Sequence, residues 1–142
     1  MEGSTEQAEV KIYCDGGSRG NPGPAASAIV VYRNHKVIFE KSKYLGIATN
    51  NVAEYEALLL ALAYLTLNEK VDAQIVLDSL LVTKQMTGEY RVKDLELRKL
   101  HSKAKALQKS FSKRITYTWS KREGNKAADR LVNEELDSQL HD

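Results

Sequence analysis

Four acidic residues stand where they could do chemistry. Asp15 ends a short alternating run, Lys11-Ile12-Tyr13-Cys14. It opens the stretch Asp15-Gly16-Gly17-Ser18-Arg19-Gly20-Asn21-Pro22-Gly23-Pro24, which packs four glycines and both prolines of the chain into ten residues. Glu54 follows Thr49-Asn50-Asn51, Asp78 closes the apolar run Ala73-Gln74-Ile75-Val76-Leu77, and Asp129 follows Gly124-Asn125. A carboxylate at a strand end before a glycine-rich loop suits a metal or a phosphate, and it equally suits an Asp-Gly turn. The other three also have ordinary explanations. Glu54 could close a capping box with Asn51, Asp78 could cap a following helix, and Asp129 could pair with Lys126 or favour a helix N-terminus. As a set they can do more. Carboxylates gathered in one place repel one another unless a cation lies among them. Oxygen-only ligands suit Mg²⁺ or Mn²⁺ rather than zinc. A zinc set is absent, because His35, His101 and His141 are scattered and Cys14 is the single cysteine.

The elements that must position these acids follow from hydrophobic spacing. Residues 10–15 read as a first strand, and 25–33 and 36–45 as a hairpin turning at Arg33-Asn34-His35. Thr49-Asn50-Asn51 opens a helix in which Ala53 to Leu67 is apolar almost all round, the pattern of a central helix buried on several sides. The continuous run 73–77 reads as a strand covered on both faces and parallel to a neighbour. A short helix follows over 79–87. Asp94 then starts an amphipathic helix with Leu95, Leu97, Leu100, Ala104 and Leu107 inward and Lys99, Lys103, Lys105 and Lys109 outward or sideways. Residues 115–119 alternate as a fifth strand, and a last helix over 125–137 turns Ala127, Ala128, Leu131 and Val132 inward. The order βββαβααβα gives an α/β fold: a five-stranded mixed sheet with helices on both faces, the two later strands lying parallel to the first by crossover connections. Ligands of such sheets bind at the carboxyl ends of the strands, where all four acids are expected.

With 142 residues, 42% hydrophobic and 28% charged, the chain suits one globular domain. We expect that domain over 10–138, a disordered lead-in over 1–9 and a tail over 139–142. The lone cysteine fits a reducing compartment, and no apolar run reaches the ~18 residues that span a bilayer. The expectation is a cytoplasmic monomer with no membrane contact. Charge is uneven: residues 81–130 hold 14 Lys/Arg against 5 acids, a net +9, and the rest hold 7 against 14, a net −7. A basic half either meets a polyanion or forms solvated helix faces.

The blocks Asp15–Pro24, Thr49-Asn50-Asn51-Val52-Ala53-Glu54, Leu77-Asp78-Ser79 and Arg122-Glu123-Gly124-Asn125-Lys126-Ala127-Ala128-Asp129-Arg130-Leu131 resemble, in order, the four signature blocks of type 1 ribonuclease H. The resemblance covers about residues 10–136. It implies an endoribonuclease, largely indifferent to sequence, that cuts the RNA strand of an RNA·DNA hybrid and leaves 5′-phosphate and 3′-hydroxyl ends. It implies two divalent ions, Mg²⁺ or Mn²⁺, in a two-metal mechanism. Asp15 would bridge both ions. Asp129 would help hold the ion that activates water, and Glu54 and Asp78 the ion at the leaving oxygen. Gly16, Gly17, Ser18 and Gly20 would let backbone reach the minor groove, where the 2′-hydroxyl distinguishes RNA. Asn21, Thr49 and Asn50 would take a phosphate of the DNA strand. Asn51 and Ser79 would lie on the substrate as well. Thr49-Asn50-Asn51 also reads as a plain helix cap.

The chain departs from the pattern in places. Ser120–Asn125 is short and carries no histidine. Arg122 resembles an arginine of a compact branch, as a catalytic group or as an ion-pair partner of Glu123 or Asp129. Leu80 stands where the family often has glutamine. The Trp-rich basic protrusion of longer members is missing, and the basic helix over 94–110 compensates only in part, which implies modest affinity with strong salt dependence. Two other readings are a transposase- or resolvase-like enzyme of the same superfamily, and a catalytically weak module binding hybrid or double-stranded RNA. The Asp-Gly-Gly-Ser and Thr-Asn-Asn-x-x-Glu blocks weigh against the first. Four intact carboxylates weigh against the second.

Overall fold

The structure is a computed structural model and describes residues 8–140, with backbone only at 122 and 123. Its elements are strands β1 (Val10–Ser18), β2 (Gly23–Arg33) and β3 (Lys36–Ala48), helix α1 (Asn50–Asn68), strand β4 (Ala73–Leu77), helices α2 (Leu80–Met86) and α3 (Leu95–Ser110), strand β5 (Ile115–Trp119), a single 3₁₀ turn (Arg122–Asn125) and helix α4 (Lys126–Gln139). The expected order is met, as one five-stranded sheet in the order β3-β2-β1-β4-β5. β1 runs antiparallel to β2 and parallel to β4, and β4 parallel to β5. The β2–β3 turn is two residues long. Asn34 and His35 both take left-handed φ, 52° and 63°, which matches the right-handed twist of the strands.

β1 does not break at Asp15. Its parallel ladder with β4 ends at Cys14↔Leu77, while its antiparallel ladder with β2 continues through the glycines to Ser18↔Ala25. Asp15 therefore sits where β1 loses one neighbour and keeps the other. This leaves an opening beside a strand that is still held rigid.

Alternation along β1 divides the sheet faces. Val10, Ile12 and Cys14 point into the larger core with Tyr55, Leu58, Ala61, Leu62 and Leu65 of α1, Ile75 and Leu77 of β4, and Leu97, Leu100 and Ala104 of α3. Asp15 takes the opposite parity. That face is covered by α4, whose Val132 and Leu136 pack on Ala26 and Ala28 of β2. Leu136 belongs to this second core as well as the expected Val132. Leu95 is a correction. It is 72% exposed, because the buried series of α3 is Leu97, Leu100 and Ala104, and two residues back from Leu97 is the far side of a 3.6-residue turn. Cys14 is buried in the core, as its parity requires. No helix among the described residues is long and apolar enough to cross a membrane.

Candidate active site

α1 brings Glu54 to Asp15 through two close contacts. Gly16 has no side chain because it cannot hold one: a Cβ there would lie 2.2 Å from the Ala53 carbonyl carbon and oxygen and 2.6 Å from the Glu54 nitrogen. Beside it, the buried Ser27 hydroxyl of β2 donates to the Ala53 carbonyl at 2.6 Å. The first turn of α1 is thus pressed onto β1 and β2, and the Glu54 carboxylate accepts the Gly16 N–H at 2.9 Å. Gly16 therefore has a packing role that the sequence expectation did not include. At Gly17 a Cβ would meet only Val132, at 4.0 Å.

Two of the ordinary explanations fall away. Thr49, not Asn51, caps α1, its hydroxyl accepting from Val52 N at 3.2 Å, and Glu54 turns to Gly16 rather than back to a capping box. Ser79, not Asp78, caps α2, accepting from Val82 N at 3.1 Å. The Asp78 side chain, at the end of β4, is left to face Asp15. Carboxylate oxygens of Asp15, Glu54 and Asp78 all lie within 4.8 Å of one another. Asp129, in the first turn of α4, meets Asp15 from the other side, close enough for a hydrogen bond between the two carboxyl groups.

α4 is tied in place at two points. Asn125 is buried, and its Nδ2 donates to the Cys14 carbonyl at 2.7 Å, one residue before Asp15. Arg19 of the glycine loop pairs with Asp137 at 2.8 Å and donates to the Asn133 side chain at 3.2 Å. Sequence reasoning reaches neither Asn125 nor Asn133. Asn125 lies inside a signature block without a role of its own, and the contact of Asn133 depends on how α4 packs.

The acids sit together at a cost. Burial first, then Asp78 and Asp129, push the Asp15 carboxyl up to about 9. Glu54 is raised by burial and then by Asp78 and Asp15, with only the Gly16 N–H pulling the other way. The Cys14 thiol is raised by burial and then by Glu54, Asp15 and Asp78, and stays protonated behind the strand. Such a set of oxygens is strained without positive charge and matches the donor set of a hard divalent cation.

A groove of about 440 Å³ opens over the carboxylates. It is lined by the four acids and by Gly16, Gly17, Ser18, Arg19, Asn50, Asn51, Ser79 and Asn133, among others. Gly20, Asn21 and Thr49 are not in its wall. Asn21 accepts the Asn50 N–H at 3.0 Å, and the Asn50 side chain accepts the Ser18 N–H at 2.9 Å. These bonds lash the glycine loop to the start of α1 at one end of the groove. Arg122 lies outside what is described beyond its place in the 3₁₀ turn.

Comparison with known proteins follows the same lines. A family model described as reverse transcriptase-like matches residues 13–135. "Bifunctional protein Rv2228c" of Mycobacterium tuberculosis is 44% identical over 132 residues, 92% of this chain and 36% of that protein. "Ribonuclease HI" of Halobacterium salinarum is 40% identical over 129 residues, 90% of this chain and 64% of that one. The chain thus spans about a third of the mycobacterial relative's length. Among solved structures, LC11-RNase H1 in complex with an RNA/DNA hybrid superposes with a TM-score of 0.89 at 37% identity, covering 93% of this chain and 99% of that chain.

Proposed function

The chain belongs to the ribonuclease H family, and on that footing we propose that it hydrolyses the RNA strand of RNA·DNA hybrids, leaving 5′-phosphate and 3′-hydroxyl ends. The observation that carries the reading is the meeting of Asp15, Glu54 and Asp78 oxygens within 4.8 Å, with Asp129 against Asp15, in the wall of an open groove. The relative whose solved complex holds an RNA/DNA hybrid supports the substrate.

Divalent cations, Mg²⁺ or Mn²⁺ and two to a site, would activate the attacking water and offset charge on the leaving oxygen when bound. Asp15 is the carboxylate in contact with both Asp78 and Asp129, so it would be shared between two ligand pairs, with Glu54 and Asp78 holding one side and Asp129 the other. The backbone at Gly17 and the side chains of Ser18, Asn51 and Ser79, all in the groove wall, would meet ribose and phosphate. Asn21, Thr49 and Asn50 shape the end where a DNA-strand phosphate would lie. Arg122 stands as a further catalytic candidate by its place in the fourth signature block. The protein works in the cytoplasm as a monomer in this reading, consistent with a single buried cysteine.

The test is cleavage of labelled hybrid, double-stranded RNA and double-stranded DNA with Mg²⁺ or Mn²⁺. Hybrid alone should be cut efficiently. Asp78→Asn should lose at least ~100-fold in kcat with the fold intact, as expected when a charge-stabilising group is removed. Efficient cleavage of the DNA duplex, or full activity in Asp78→Asn, contradicts the assignment.

A further inference from the structure

The glycine loop touches both helices that bring acids to the flanks of Asp15. Towards α1, the Ser18 N–H donates to the Asn50 side chain at 2.9 Å, and the Asn50 N–H donates to the Asn21 side chain at 3.0 Å. Asn50 stands one helical turn before Glu54. Towards α4, Arg19 Nη2 donates to the Asn133 side chain at 3.2 Å and to the Asn133 carbonyl at 3.4 Å, and pairs with Asp137 at 2.8 Å. Asn133 stands one turn after Asp129, and its Nδ2 donates to the Asp129 carbonyl at 3.0 Å. Asp129, Asn133 and Asp137 therefore share one side of α4. A single side chain links the Arg19 guanidinium to the backbone of Asp129. The other end of this strap is held firmly. The Arg19 N–H donates to the Pro24 carbonyl at 2.8 Å, and Gly23 lies so close that a Cβ there would stand 2.1 Å from the Arg19 carbonyl oxygen. Among the described residues that line the groove, Arg19 is the one cation, and its ion pair is with Asp137 rather than with the four acids.

We propose that Arg19 and Asn133 are positioning residues of the carboxylate site. Their strap from the glycine loop to α4 sets how Asp129 faces Asp15, and through that how tightly a divalent cation is held. The proposal deepens the reading of the four acids as a cation site and rests on it. Beyond Asn125, α4 is held on the sheet by the apolar contact of Val132 and Leu136 with Ala26 and Ala28. Apolar contact is non-directional and leaves a helix free to roll or slide, whereas hydrogen bonds to fixed acceptors are directional. The Arg19 and Asp137 side chains are 40% and 70% exposed, and a pair so open to water adds little to stability. What the strap supplies is placement. Charge alone makes the opposite forecast. Removing a cation beside four carboxylates should strengthen their hold on a divalent ion, whereas loosening Asp129 should weaken it.

The test titrates Mn²⁺ alone by calorimetry into the whole chain, stripped of metal by chelator, as parent, Arg19→Ala, Asn133→Ala and the double variant. Each single substitution should raise the apparent Kd about fivefold, and the double should lose little more than the worse single, because the two residues act in one strap. The metal-free thermal midpoint of Arg19→Ala should stay within about 3 °C of the parent. The Mn²⁺ concentration for half-maximal hybrid cleavage should rise with the Kd, while kcat at saturating Mn²⁺ is retained. Unchanged or tighter Mn²⁺ binding in Arg19→Ala overturns the proposal, and tighter binding is the result that charge alone gives. A lowered midpoint with unchanged affinity overturns it as well, since the strap would then be purely structural. A double variant whose loss is the product of the two single losses shows that the residues act separately, and also overturns it. If the parent itself binds no Mn²⁺, the cation reading of the four acids fails and the proposal falls with it.

Discussion

At the scale of single residues, the four carboxylates are arranged against their own electrostatic interest. Asp15 and Glu54 hold protons more tightly in the folded chain than ordinary carboxyl groups do, Asp15 up to about 9. The metal-free native state therefore binds more protons than the unfolded chain over this range. Stability must then fall as pH rises from the ordinary carboxylate range toward 9. A divalent cation competes with those protons, so its stabilising effect must grow over the same window. Thermal unfolding at about pH 5 and about pH 8.5, with chelator or with ~10 mM Mg²⁺, checks both signs. The metal-free midpoint should drop on raising the pH and the gap between the two conditions should widen. A metal-free midpoint that rises, or a constant gap, contradicts the site. The acids themselves are legible in the sequence because each stands at the edge of an apolar run. What is not legible is why Gly16 is glycine. Its neighbour is Ala53, 37 positions away, and only the docking of α1 on β1 reveals that a Cβ would strike the helix backbone.

At the scale of elements, hydrophobic period yields the strands and helices in order, with errors at their ends. β1 runs three residues past Asp15 because its antiparallel partner β2 continues to pair beyond the point where β4 stops, and pairing is not written in one strand's own residues. Leu95 reads as inward because it is leucine, but the burial series of α3 starts at Leu97. Asn125 escapes notice for a related reason: its partner is a main-chain carbonyl 111 positions away. That bond joins the start of α4 to β1 and so sets Asp129 relative to Asp15. Asn125→Ala leaves the buried Cys14 carbonyl without its side-chain donor and should cost about 1–3 kcal/mol in urea unfolding. It should also raise the Mg²⁺ concentration needed for half-maximal cleavage several-fold. A variant with lowered stability but unchanged metal dependence would show that the bond holds α4 without positioning Asp129.

For the molecule as a whole, fold and chemistry share one design. Two packed faces meet along β1, with α1 docked on one side and α4 on the other. Each delivers an acid to the place where the parallel ladder ends. Four acids gather in the groove, while Arg91, Arg98 and Lys105 line a separate concavity where α2 and α3 meet. A site of this kind trades stability for function: the repulsion that burdens the free protein is the attraction that holds the cations. Asp15→Asn separates the two most directly. The substitution replaces a carboxyl that must take up a proton to be buried at this pH with a neutral side chain of the same shape. At about pH 8 without metal, its thermal midpoint should rise by about 3 °C or more, the shift expected from about 1 kcal/mol in a chain of this length. Mg²⁺- or Mn²⁺-dependent cleavage of the RNA strand in a hybrid should be lost. Hybrid cleavage retained at the parent rate by a folded Asp15→Asn protein would contradict the account.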